Sequence, residues 1–170
     1  MTEKQTDEYF EIIYKPKSST FSGDYLRVIP TDPNFVPTKE HQRKLMNYLA
    51  SKYPDKEIKS TLNKTVEFID SGSNFESLVC NVCGQNMEIE DWQNAMDRAY
   101  QNSFTDLTFR TSCCDNKTSL NELNYDKPMA FSKYLIEIVN PEIANFEQDE
   151  FLKNINSLIG QKTRLIWTHY

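Results

Sequence analysis

The chain has 170 residues, a length that fits one domain of ordinary size with a small insert. Its 25 acidic and 19 basic side chains give a formal net charge of −6, which argues against binding nucleic acid through a basic face. No run approaches the roughly 18 apolar residues of a membrane span, and the polar, acidic residues 1–8 argue against a signal peptide. Composition therefore predicts a cytoplasmic protein that binds neither nucleic acid nor membrane.

Residues 1–24 form the first segment of the chain. Their polar composition predicts a loosely ordered lead-in, with Tyr9–Tyr14 as a candidate edge strand. Residues 25–170 are expected to form a single α+β domain that carries an insert at about residues 75–125.

Two stretches of this domain share the order strand, proline turn, amphipathic helix, strand. In the first, a strand at 25–29 and a helix that begins after Thr38 lead to a strand at 65–69. In the second, strands at 134–139 and 164–168 flank a helix that ends at Gly160. The apolar residues at helical spacing are Leu45, Met46, Leu49 and Tyr53 in the first helix, and Phe151, Leu152, Ile155, Leu158 and Ile159 in the second. Two such units predict an α+β fold of ferredoxin-like character.

The insert between these units has a short helix of its own. Strand-like runs at 75–80 and 104–111 bracket it. Its apolar stripe consists of Trp92, Ala95, Met96, Ala99 and Tyr100. A complete stripe at this spacing predicts contact with a core rather than a ligand groove.

All four cysteines fall in this insert, as Cys80-Asn-Val-Cys83-Gly84 and Cys113-Cys114. A Cys-x-x-Cys-Gly turn is typical of a zinc knuckle, because the spacer lets both thiolates face one ion and the glycine lets the backbone curl. A second cysteine pair completes a four-sulfur tetrahedron. The pattern predicts one structural zinc ion bound by Cys80, Cys83, Cys113 and Cys114 in a zinc-ribbon-like insert.

Three other interpretations of the cysteines stay open. A dithiol–disulfide couple needs a cysteine at a helix N-terminus, whereas Cys80 ends a predicted strand. An iron–sulfur cluster also takes four cysteines, although ferredoxin spacings are absent from the sequence. Adjacent residues in a strand point to opposite faces, so Cys114 joins Cys113 on one ion only if the chain bends at Asp115-Asn116. Otherwise the fourth ligand is His41, His169 or water, and the metal site is open.

The sequence contains no further constellation that predicts catalysis. P-loop, dinucleotide-binding and nucleophile-elbow motifs are absent from the sequence, as is the His-Glu-x-x-His motif. Four carboxylates lie at predicted strand ends and fit turns better than a catalytic role: Asp24, Asp32, Glu67 and Asp70. The two histidines, His41 and His169, belong to no catalytic motif. We assign no catalytic residue and no organic cofactor.

The central part of the chain resembles a family of small uncharacterised bacterial proteins with a Cys-Pro-x-Cys-Gly knuckle, a Trp-bearing helix, a Cys-Cys pair and a Leu-Asn-x-Leu-x-Tyr segment. Asn81 stands where that family usually has proline. The matching segments run from about residue 25 to 140 and are residues 75–84, Trp92 with Met96, residues 104–107, Cys113-Cys114 and residues 119–125. The resemblance implies a bacterial cytoplasmic protein with a cysteine-bound metal and supplies no activity.

These observations favour a zinc-stabilised cytoplasmic protein that acts by binding another protein, of which an inhibitor or immunity-type protein is one version. An enzyme is the less favoured class. The alternative is a thiol-redox or metal-dependent enzyme that uses Cys80, Cys83, Cys113 and Cys114 directly.

Overall fold

The structure is a computed structural model that describes residues 1–18, 23–72 and 76–169. Phe75, where one strand was predicted to begin, lies outside the described residues. The helices are α1 (Lys39–Lys52), α2 (Ile89–Gln101) and α3 (Gln148–Ile159). The strands are β1 (Thr2–Gln5), β2 (Tyr9–Tyr14), β3 (Asp24–Pro30), β4 (Ile58–Ile69), β5 (Leu78–Val79), β6 (Thr108–Arg110), β7 (Lys117–Ser119), β8 (Asn124–Tyr125), β9 (Ala130–Val139) and β10 (Thr163–His169).

The main sheet has six strands in the order β1-β2-β4-β9-β3-β10. Every neighbouring pair is antiparallel. The units β3-α1-β4 and β9-α3-β10 interleave, so that β3 lies between β9 and β10. This is the split strand–helix–strand arrangement of ferredoxin-like folds. The predicted fold class is confirmed.

The signals for both long helices are confirmed in detail. Thr38 Oγ1 accepts a hydrogen bond of 3.1 Å from the His41 N–H and caps α1, which ends just before Pro54. Gly160 ends α3 with a φ of 72°, a conformation that costs little only for glycine. Both helices pack on one face of the sheet. Their core includes Leu26, Val28, Leu45, Met46, Leu49, Ile136, Ile138, Phe151 and Ile155.

Residues 1–18, within the predicted lead-in, contain two strands, β1 and β2. Tyr9–Tyr14 is a strand, but it pairs on both sides, and the edge strand is Thr2–Gln5. β1 was not predicted because its four residues are polar and all exposed, so they show no apolar alternation. A bidentate ion pair of 2.7 and 2.8 Å between Arg43 of α1 and Glu3 holds it to the helix layer.

β4 is longer than the predicted strand at 65–69 and changes direction at a bulge. Its register with β9 shifts between Leu62 and Glu67. Beyond the bulge, the Asp70 carbonyl oxygen accepts a hydrogen bond of 2.9 Å from Arg27 Nη1 on β3. Because β9 separates β4 from β3 in the sheet, the end of β4 must cross over a sheet face. Leu26 and Val28 face the helices, so Arg27 and the crossing lie on the opposite face.

The insert (residues 76–125) forms two small antiparallel sheets, β5-β8 and β6-β7, and α2. Its core includes Leu78, Cys80, Ala95, Ala99 and Leu120, and it continues onto the main sheet through Val66 of β4 and Phe131 of β9. A polar anchor to the main sheet is the buried Asn121. The side-chain amide of Asn121 donates to the Thr31 carbonyl at 3.1 Å and accepts from the Phe131 N–H at 3.0 Å.

Candidate metal centre

The first cysteine turn (residues 80–85) is closed by two backbone hydrogen bonds. The Cys80 N–H donates to the Gln85 carbonyl at 2.9 Å, and the Gly84 N–H donates to the Cys80 carbonyl at 2.9 Å. Gly84 has a φ of 74°, in the left-handed region that favours glycine. The Val82 N–H lies 3.4 Å from Cys80 Sγ. As the motif predicted, the turn curls so that an amide N–H points at a sulfur.

The second cysteine turn (residues 111–116) repeats this backbone pattern. The Thr111 N–H donates to the Asn116 carbonyl at 3.0 Å, and the Asp115 N–H donates to the Thr111 carbonyl at 2.9 Å. Asp115, with a φ of 55°, takes the place of Gly84. Aspartate is one of the few residue types other than glycine that tolerate this conformation. Residues 111 and 115 thus correspond to residues 80 and 84.

Two adjacent cysteines join the cluster, although only Cys114 has a cysteine at the matching position of the first turn. Cys114 occupies the position of Cys83, Cys113 occupies the position of Val82, and Thr111 occupies the position of Cys80. Cys113 and Cys114 lie in a turn, where successive side chains do not have to point to opposite faces as they do in a strand. The bend that the sequence required at Asp115-Asn116 is present.

The two turns bring all four sulfur atoms to within 4.8 Å of one another, and this group could hold a metal ion. The contacts run between the turns: Cys80 Sγ lies 3.9 Å from Cys114 Sγ, and Cys83 Sγ lies 3.5 Å from Cys113 Sγ. His41 lies in the first turn of α1, where its backbone N–H donates to Thr38 Oγ1, and His169 Nδ1 lies 2.6 Å from Asp24 Oδ1. Neither histidine belongs to the metal-competent group found among the described residues.

The environments of the four thiols differ. Cys80 is buried, Cys113 and Cys114 are half-buried, and Cys83 is exposed. The Thr111 hydroxyl, 3.1 Å from Cys114 Sγ, and Asn116 lower the pKa of Cys114 to about 6. At Cys83 the Gln85 N–H acts to lower the pKa, but desolvation and the three neighbouring thiols outweigh it and raise this pKa to about 12. Four thiolates at this spacing repel one another, and a bound cation removes that penalty.

Side chains around the turns join them to each other and to α2. The Thr118 hydroxyl donates to Asn81 Oδ1 at 2.6 Å and so links β7 to the first turn. Ser112 Oγ donates to Asp91 Oδ2 of α2. Sequence reasoning missed Asn81, Thr111, Ser112 and Thr118. Asp115-Asn116 was the local sequence signal for this turn. The position of Thr111 opposite Cys114 follows only from the backbone conformation of the turn.

Helix α2 packs on the insert core as its stripe predicted, with one exception. Trp92 Nε1–H donates to the Tyr125 hydroxyl at 3.0 Å, and that hydroxyl donates to the Leu120 carbonyl at 2.8 Å. Ala95 and Ala99 are buried. Tyr100, which was predicted to contact the core, is 74% exposed. It lies near the end of α2, where its ring contacts Phe104, 6.0 Å between centroids.

The fold and the cysteine cluster define an α+β protein with a four-thiol centre that could bind a metal. The chain matches no protein-family profile, no curated protein and no solved structure. Among the described residues, no helix has both the length and the apolar character needed to cross a bilayer.

Proposed function

We propose that this is a zinc-stabilised protein that acts in the cytoplasm by binding another protein. In this proposal Cys80, Cys83, Cys113 and Cys114 ligate one structural zinc ion. The observation that carries it is the convergence of four sulfur atoms from two matching turns. Four thiolates fill a tetrahedral zinc site and leave no position for substrate, which is the arrangement of structural zinc.

The size of the insert supports a structural role for the metal. Its strands have two or three residues each, too few to be stable as isolated two-stranded sheets. The first turn follows β5 and the second connects β6 to β7, so an ion held by both turns joins the two small sheets. Metal binding then contributes directly to the folding free energy of the insert.

The surface beside α2 supports binding to a protein. Met96, Tyr100 and Phe104 line an apolar groove of about 350 Å³, with the carboxylates of Glu67 and Asp97 beside them. Exposed aromatic and methionine side chains are enriched in protein interfaces, and tyrosine is frequent among their hot spots. We expect a partner that inserts an apolar side chain flanked by lysine or arginine, which complements these carboxylates and the net charge of −6. An inhibitor or immunity-type protein, whose partner is its target, is one version of this role.

Two measurements test the proposal. Native mass spectrometry of the purified protein should give one zinc ion per chain, and a metal-free, folded chain would overturn the structural role. For the interface, Tyr100→Asp should abolish capture of a specific partner that the unaltered protein and the control Phe146→Asp both retain. Phe146 is 86% exposed and does not line the groove. Equal loss in both variants would contradict the assignment of the interface.

Thiol-redox activity is the second candidate function. The exposed Cys83 lies 3.5 Å from Cys113, Sγ to Sγ, and this is the observation that favours it. Thiol titration separates the two candidates. Four thiols that react only after a chelator removes zinc support the structural site, whereas a dithiol that cycles reversibly with a disulfide in metal-free protein supports redox chemistry.

A further inference from the structure

The apolar groove beside α2 is built from two regions of the molecule. The insert supplies Met96, Asp97, Tyr100 and Phe104, and β4 of the main sheet supplies Glu67 and Phe68. A groove with walls from two regions exists only while those regions keep one relative position. Its shape therefore depends on how the insert is held against the sheet.

The buried Phe131 of β9 joins the two walls of the groove. Its ring centroid lies 5.2 Å from that of Phe68 and 5.4 Å from that of Phe104. Tilted aromatic rings at such distances attract one another. Phe104 thus connects the insert wall of the groove to the sheet.

The backbone that places Phe104 is strained. Ser103 and Phe104 have φ values of 55° and 56°, in the left-handed region that is costly for residues with a Cβ atom. The Phe104 N–H donates to the Ala99 carbonyl at 2.7 Å, and the Ser103 N–H donates to the Tyr100 carbonyl at 2.9 Å. Such strain persists only where the surrounding structure imposes it. The position of Phe104 therefore requires that the end of α2 is folded and in place.

Helix α2 is in turn attached to the metal centre. Ser112, in the second cysteine turn, donates from its Oγ to Asp91 Oδ2 in the first turn of α2. Cys80 shares one apolar core with Ala95 and Ala99 of α2. The cysteine turns and α2 therefore form one folded unit.

The metal and a partner in the groove both require that unit to be folded. Met96 and Phe104 pack against the same core as Cys80. In the metal-bound state the insert is folded and the groove is assembled. In the metal-free state the short strands of the insert do not hold α2 in place, and Met96 and Phe104 separate from Phe68.

We propose that the metal centre controls the groove, so that zinc binding and partner binding strengthen each other. The inference rests on the proposed function, because it takes the four thiols as the zinc site and the groove as the interface. Zinc tightens partner binding by the reciprocal of the fraction of metal-free chains whose insert is folded. By linkage, the partner tightens zinc binding by the same factor.

The peptide acetyl-Lys-Leu-Lys-amide is a suitable probe, and acetyl-Glu-Leu-Glu-amide is its control, since the carboxylates of Glu67 and Asp97 line the groove. We expect the lysine peptide to shift the ¹H–¹⁵N NMR signals of residues 96–104 of the zinc-loaded chain saturably. Removing zinc with a chelator should weaken its binding at least about tenfold. Without any peptide, nuclear Overhauser contacts between the rings of Phe104 and Phe131 should disappear on chelation.

The outcomes separate the coupling from the proposed function. Equal peptide affinity with and without zinc, or ring contacts that persist after chelation, would overturn the coupling and leave the zinc site intact. No binding to the zinc-loaded chain, or equal binding of the glutamate peptide, would overturn the interface and the coupling together. A chain that takes up no zinc in native mass spectrometry would overturn the proposed function and the coupling with it.

Two glycine substitutions sharpen this experiment. Ser103 is exposed and does not line the groove. Ser103→Gly removes strain from the folded insert, so it should raise the peptide affinity of the metal-free chain about fivefold and leave that of the zinc-loaded chain unchanged. Asn140→Gly relieves a φ of 45° just after β9, outside the insert, and should change neither affinity. Equal effects of the two substitutions on the metal-free chain would contradict control of the groove through folding of the insert.

Discussion

The main sheet and the insert are built from the same chain but are stabilised by different means. The sheet buries a continuous apolar core under α1 and α3, with side chains as large as Tyr134 and Phe151 fully inside. The insert has strands of two or three residues, a smaller core and four clustered thiols. A region with little apolar surface to bury needs another source of folding free energy. On the proposal made here, that source is a metal ion.

Removing the metal should have the largest effect on stability, and that effect should be confined to the insert. We expect a chelator to unfold the insert while the sheet keeps its structure. The two tryptophans report on the two regions, since Trp92 lies on α2 and Trp167 on β10. In Trp167→Phe, emission from Trp92 should shift to the red on chelation. In Trp92→Phe, emission from Trp167 should stay constant, and a red shift there would contradict independent stabilisation.

Truncating the sheet core should have the converse effect. Phe151 is fully buried in contact with Tyr53, so Phe151→Ala should destabilise the sheet by about 3–5 kcal/mol. Chemical denaturation checks the loss of stability. Zinc affinity of the folded variant, measured by chelator competition, should stay within about twofold of the original. A large fall in zinc affinity would mean that the two regions are coupled.

Two glycines allow a matched comparison of smaller size. Gly84 and Gly160 have φ values of 74° and 72°, and a Cβ added at either would touch nothing within 4 Å. Alanine at either position therefore introduces only backbone strain, about 1–2 kcal/mol. Gly84→Ala should lower zinc affinity and leave the sheet's denaturation midpoint unchanged. Gly160→Ala should lower the sheet's denaturation midpoint and leave zinc affinity unchanged. Identical effects of the two changes on zinc affinity would contradict the requirement for glycine in the first cysteine turn.

Proton release is the subtlest expected consequence. Because the pKa of Cys83 is raised to about 12, its thiol is protonated at pH 7 in the metal-free protein and must lose that proton to bind zinc. Zinc affinity should therefore rise with pH. Titration calorimetry in buffers of different ionisation enthalpy should show release of at least one proton per zinc. Binding without proton release would mean that Cys83 is not a ligand.

The sequence predicted the sheet units and the cysteine cluster well, since both depend on local patterns. Helical spacing, the Thr38 cap and Gly160 fixed α1 and α3, and the Cys-x-x-Cys-Gly spacing predicted the first turn. β1 was missed because its residues are polar and it depends on pairing with β2. The role of Thr111 and the bulge in β4 were also missed, because the first depends on a backbone conformation at Asp115 and the second on pairing with the distant strand β9.

The central claim is that four thiolates, with Cys114 among them, hold one zinc ion. Zinc X-ray absorption spectroscopy of the purified protein tests it most directly. We predict a single shell of four sulfur atoms at about 2.3 Å. In Cys114→Ser one sulfur should be replaced by a shorter nitrogen or oxygen scatterer. A mixed first shell in the unaltered protein, or an unchanged four-sulfur shell in Cys114→Ser, would contradict the account.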